Sequence, residues 1–281
     1  MPLILPATTP LYEPFRARDA VVYVDECGQF NPRGKEINAL GGIMVPATVA
    51  DRLALAEVVE ALAHRVAERH PSARWPKGSH LHAADYEWLA AELMRRPDWL
   101  ALDRPIVIGS ASSEYTGEFF AEVVDLMEGF VEALPRADQL DLRIHAALRA
   151  ARRLQQRQPA YATAFVLMLE HLAKWFRARD IRPQGEVILD ASPKIPPQGL
   201  AGLQLVTRWM IGTTFGEVFR DRFVELYGTR PEAEVRVRLA DDRGHPGIVL
   251  AGIIAFACVM DHQGKDPTGA YGRFRRALAG R

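Results

Sequence analysis

Ala20-Val21-Val22-Tyr23-Val24-Asp25-Glu26-Cys27-Gly28 is the stretch whose reading decides the fold. β-Branched and aromatic side chains suit a pleated, buried surface, and here they run straight into two acids and a glycine. Residues 20–25 are therefore expected as a buried strand that opens into a turn at Cys27-Gly28. Residues 29–36, which carry Pro32 and Gly34, read as loop, and residues 37–45 read as the returning strand of a hairpin. A glycine pair inside that strand, Gly41-Gly42, predicts a bulge or the close approach of another segment.

Working outward, the same pattern recurs. Glu186-Val187-Ile188-Leu189-Asp190 is a second short apolar run that stops on an acid, and residues 105–111 and 234–239 read as further strands, with a short candidate at 213–218. Between them, apolar residues at helical spacing predict helices over 49–69, 86–94, 117–134, 142–158, 161–177, 200–210 and 247–262. Strands interleaved with helices after an early hairpin define a mixed α/β class. Residues 1–281 read as a single domain, because no repeat or composition break marks a linker, with 135–180 as a candidate helical insertion or lobe.

Composition narrows the function. In 281 residues, 35 Lys+Arg balance 35 Asp+Glu, so no whole-molecule cationic field exists to hold duplex nucleic acid. Binding to DNA or RNA would have to use a local patch. Near-zero net charge also permits self-association or a protein partner. The longest apolar run, 247–260, is too short to span a bilayer and is expected as a core helix. Residues 1–14, broken by Pro6, Pro10 and Pro14, do not read as a signal peptide. Cys27 and Cys258, far apart and without zinc spacing, read as reduced thiols of a cytoplasmic protein. No Walker, dinucleotide-binding, zincin or serine-hydrolase motif occurs.

Two strand-end carboxylates, Asp25 and Asp190, are the principal candidates for chemistry. Acids at the carboxyl ends of strands lie where open α/β sheets bind ligands, and converging oxygens suit Mg²⁺ or Mn²⁺. Glu26 can join Asp25 on one ion only if the chain has begun to turn, since adjacent strand residues face opposite ways. Otherwise Asp25 starts the turn, Glu26 faces solvent and Asp190 caps the helix or loop behind it. His80 and His82 would share a face only in extended structure; with Asp85 they could bind Mn²⁺ or Zn²⁺ or transfer a proton, or they are surface and helix-start residues. Asp241 and Asp242 either line the site or form a charged turn. Arg149 and Arg153, in the arginine-rich 142–158 segment, are candidate phosphate contacts, or a solvated helix face; Lys194 is another candidate phosphate contact. Cys27 is not assigned as a nucleophile, because neighbouring carboxylates disfavour its thiolate.

Val22-Tyr23-Val24-Asp25-Glu26-Cys27-Gly28, Leu40-Gly41-Gly42-Ile43-Met44-Val45-Pro46, His80-Leu81-His82-Ala83-Ala84-Asp85, the tyrosine-led segment 161–172, Val187-Ile188-Leu189-Asp190 and the closing segment 242–255 occur in an order that resembles the DUF3800 family. The resemblance implies an RNase H-like mixed sheet flanked by helices, with helical insertions, and metal-dependent nuclease or related phosphoryl-transfer activity. It implies Asp25 and Asp190 as ligands of Mg²⁺ or Mn²⁺, Asp242 as a third oxygen ligand, and Glu26 or His82 as the residue that orients or deprotonates water. Four departures stand out: Cys27 for serine, His80 for glutamate, and Val249 and Gly252 for the glutamine and the aspartate of the closing helix. Either Asp241 or Asp242 replaces that oxygen, or His80 alters the site, or catalysis has been lost. The alternatives to a nuclease are a noncatalytic interaction protein with a degenerate site and a small-molecule phosphohydrolase.

Overall fold

The computed structural model describes residues 18–30, 37–73, 75–107, 115–133, 142–178, 183–191, 199–211, 235–241 and 245–279. Five strands, β1 (Arg18–Cys27), β2 (Ile37–Pro46), β3 (Leu100–Val107), β4 (Pro183–Asp190) and β5 (Val235–Ala240), form one sheet in the order β3-β2-β1-β4-β5. β2 is antiparallel to β1 and β3, while β1, β4 and β5 run parallel. The predicted hairpin is thus the first half of the sheet, and the acid-ended strand β4 docks on its open side.

Alternation along β1 sorts the molecule into layers. Ala20, Val22 and Val24 point to one face, with Val187 and Leu189 of β4, and pack against α3 (Tyr115–Ala133), α4 (Leu142–Arg157), α5 (Pro159–Ala178) and α6 (Leu200–Ile211). Val21 and Tyr23 point to the other face, with Ile188, and pack against α1 (Val49–Ala67), α2 (Ala83–Met94), α7 (Pro246–His262) and α8 (Ala270–Ala279). The result is a helix–sheet–helix sandwich with two apolar cores. Burying such continuous β-branched runs on both faces is what a parallel strand pair requires.

α7 is the expected core helix. Apolar residues surround it, it starts with Pro246 at the first helical position, and eleven of its residues are buried. Its close fit explains the Gly41-Gly42 pair as an approach rather than a bulge. A Cβ on Gly41 would stand 2.2 Å from the Ala251 carbonyl oxygen and 2.4 Å from the Ala255 nitrogen. Among the described residues no helix is long and apolar enough to cross a membrane.

Several boundaries differ from expectation. β3 spans Leu100–Val107 rather than beginning at Pro105; Leu100 and Leu102 are buried, and an edge strand tolerates Pro105. α2 begins at Ala83, because Asp85 accepts a hydrogen bond from the His82 N–H (2.9 Å) and so closes the first turn three residues earlier. α8 has no counterpart in the sequence reading; Phe274 and Leu278 bury one side of a helix whose other positions are arginine-rich. The strand expected at 213–218 lies outside the described residues, as do Lys194 and Asp242.

Candidate active site

Asp25 and Asp190 lie side by side. β1 and β4 pair in parallel with Val24 opposite Leu189, and one step further places Asp25 beside Asp190. Neighbouring strands are about 4.8 Å apart, so the two carboxylates share one rim. Both continue the Tyr23 and Ile188 rows, which face α7. The order β3-β2-β1-β4-β5 makes the β1/β4 boundary the point where strand connections turn from one side of the sheet to the other, the usual crevice for a ligand in an open α/β sheet.

α7 closes on this rim through Gly252. A Cβ at that position would come within 2.4 Å of Asp25 Oδ2, so the missing side chain is what allows the helix backbone to meet the carboxylate. The backbone N–H of Glu26 donates to Asp25 Oδ1 at 2.7 Å and fixes the carboxylate's orientation. Opposite it on β2, Gly41 pairs with Asp25 and carries no side chain to crowd the site.

Glu26 belongs to the other face. β1 stays paired through Cys27, which lies opposite Ala39, so the turn required to bring Glu26 round to Asp25 has not begun. Glu26 continues the Val22 and Val24 row toward α5. There Tyr161, fully buried, senses all three acids: burial first, then the negative charges of Glu26, Asp25 and Asp190, hold its hydroxyl well above the usual phenol range. Tyr161 packs on Phe30, just past β1, with ring centroids 5.5 Å apart, a position that its place at the head of a predicted helix gave no means of locating. The turn after β1 is set by Gly28 (φ +103) and Asn38, whose Oδ1 accepts the Phe30 N–H at 2.8 Å.

The histidine segment is built differently. His82 is exposed at the N-cap of α2, and His80 stacks on His70 with ring centroids 4.4 Å apart. Burial, followed by the charges of His70 and Lys77, lowers the His80 pKa. Asp85 is buried and holds Arg65 of α1 and Arg69 just past its end. It pins the two segments together, and from the histidine segment it accepts the His82 backbone N–H. Asp241 follows β5 at the same end of the sheet and is exposed; Ala240, before it, lies opposite Asp190. Among the described residues no group of three or more His, Cys, Asp and Glu side chains could hold a metal ion. Cys27 and Cys258 are not joined in a disulfide, and burial pushes the Cys258 thiol far up.

Two adjacent carboxylates at a crevice still match a hard cation. Mg²⁺ is commonly held by one or two carboxylates and completed by water and substrate phosphate, so Asp25 and Asp190 fit that donor set without a third protein ligand. No family model matches the chain, and neither does any curated protein.

Proposed function

We propose that this chain is a divalent-metal-dependent nuclease of the DUF3800 kind, with an RNase H-like fold, that hydrolyses phosphodiester bonds at the β1/β4 rim. The observation that carries the reading is the juxtaposition of Asp25 and Asp190 at the carboxyl ends of neighbouring parallel strands. The strand order β3-β2-β1-β4-β5, with β2 alone running against the rest, supports the fold assignment.

Asp25 and Asp190 would hold Mg²⁺ or Mn²⁺. A bound ion there supplies charge neutralisation for the phosphate and makes a bound water more acidic. Asp25, oriented by the Glu26 N–H, presents a fixed oxygen to the rim. His82 would accept the proton of the attacking water, and Asp241 or Asp242 would add a further oxygen beside Asp190.

Gly252 favours a second reading, a noncatalytic interaction protein. α7 brings a backbone, not a carboxylate, against Asp25, which leaves the rim short of an acid. Fewer oxygen ligands weaken both cation binding and stabilisation of transition-state charge. The nuclease reading therefore expects weak, Mn²⁺-favoured cleavage. A time course on single- and double-stranded DNA and RNA with Mg²⁺, Mn²⁺ or chelator decides between them. Asp25→Asn and Asp190→Asn should each slow cleavage at least about a hundredfold, about 3 kcal/mol of transition-state stabilisation. Cleavage unchanged in both variants overturns the assignment, and inactivity together with no divalent-metal binding selects the noncatalytic reading.

A further inference from the structure

α4 concentrates charge in a chain whose formal net charge is +0. Its sequence, LRIHAALRAARRLQQR, holds five arginines and no acid. One of the five is committed to packing, because Arg152 is clasped by Asp125 and Glu128 of α3. Leu148, Ala151 and Leu154 bury the opposite side of the helix in the core.

Arg149, Arg153 and Arg157 are different. All three are exposed, and among the described residues none makes a hydrogen bond or ion pair. Their spacing of four residues stacks them on one face, about 6 Å apart along the axis. Like charges at that spacing repel and weaken a helix, so the row is held against its own electrostatics by the packing beneath it. The row also has a direction. It ends at Arg157, and Gln158 then leads at once into α5, whose Tyr161 packs on Phe30 just past the carboxyl end of β1, with ring centroids 5.5 Å apart.

We propose that Arg149, Arg153 and Arg157 form a docking ridge for the phosphate backbone of a nucleic-acid strand, which it delivers to the β1/β4 rim. Guanidinium groups carry a permanent charge and forked donors that match phosphate oxygens. A ridge on one helix supplies the local patch that the balanced overall charge withholds from the rest of the molecule. The backbone chemistry is common to DNA and RNA. The fate of the strand at the rim rests on the nuclease reading; its capture by the ridge does not.

The test is binding in chelator, where no divalent ion contributes. The full chain is titrated into labelled single-stranded DNA or RNA and followed by fluorescence anisotropy at several salt concentrations. The triple variant Arg149→Gln, Arg153→Gln, Arg157→Gln should bind at least tenfold more weakly. Its slope of log affinity against log salt should be shallower by about 2, the loss of three single-strand phosphate contacts. Arg276→Gln, an exposed position on α8, should stay within twofold of the parent chain. Because the three arginines are exposed, circular dichroism should show the triple variant folded. Unchanged affinity and slope in the triple variant overturn the proposal. So does absence of binding by the parent chain up to about 100 μM, the weak end of ordinary nonspecific association. Binding of the parent chain to phosphatidylserine vesicles but to neither strand overturns it as well. Ridge-dependent binding without cleavage supports the ridge and counts only against the nuclease reading.

Discussion

Two sets of acids in this molecule stand in different structural settings. Asp85, Asp103 and Asp261 each face an arginine: Asp85 holds Arg65 and Arg69, and Arg275 bridges Asp103 and Asp261 to tie α8 to β3 and α7. Asp25 and Asp190 instead end adjacent parallel strands and face α7. The first set spends its charge on joining elements. The second brings two carboxylates to one sheet crevice, an arrangement that suits a cation. Location separates them too, because the clasps join helices or seal an edge strand and the rim lies where strand connections diverge.

That contrast can be broken by substitution. The largest stability effect is expected for Asp85→Ala, which strands two arginines and removes the first-turn acceptor of α2: about 3 kcal/mol, read as a lower denaturant midpoint. Asp25→Asn and Asp190→Asn should do the reverse, slowing cleavage about a hundredfold while changing stability by less than about 1 kcal/mol, since they relieve like-charge repulsion. Should the Asn variants destabilise as strongly as Asp85→Ala, the rim acids are structural and the contrast fails. Arg275→Met should cost about 2 kcal/mol by leaving two partly buried carboxylates without their cation, measured in the same way.

Gly252→Asp sharpens the comparison. It adds an acid where α7 meets Asp25, so without metal it should destabilise by about 1 kcal/mol, and with Mn²⁺ it should gain more thermal stability than the parent chain. Equal Mn²⁺ responses would place residue 252 outside the ion's reach. The smallest effect concerns pH. Burial, then the charge of Arg104, lowers the His171 pKa, and burial, then the charge of Arg238, lowers that of His245. Each folded-state value lies below the ordinary value of about 6.5, so the unfolded chain takes up the protons first. Stability from these groups is complete above about pH 6.5 and declines as pH falls below it. Melting temperature should drop between pH 7.5 and 5.5, and His171→Gln should make that drop shallower.

Much of this was legible in the sequence where a signal was local. The runs before Asp25 and Asp190 are uninterrupted apolar stretches rich in β-branched residues, so both strands and the acids that end them could be read directly. Alternation also stated the condition for Glu26 to join Asp25, and the continued pairing of β1 to Cys27 shows it unmet in the strand. Partnerships between distant segments were not legible. Nothing in His80-Leu81-His82-Ala83-Ala84-Asp85 announces that Arg65 and Arg69, at the end of α1 and just past it, take up the aspartate. β3 hid behind Asp103-Arg104-Pro105, which lack strand character, and α8 behind its arginines, although Phe274 and Leu278 at a four-residue spacing carried its signal. Gly41 suggested a close approach but not its partner, which is the α7 backbone.

The central claim is that the β1/β4 rim binds a divalent cation, and thermal melting with Mn²⁺ tests it most directly. The parent chain's melting temperature should rise with Mn²⁺ concentration in a saturable way, since an ion that binds only the folded state stabilises it by mass action. Asp25→Asn and Asp190→Asn should each abolish most of that rise. A parent chain that does not respond, or variants that respond as fully as the parent, would contradict the account.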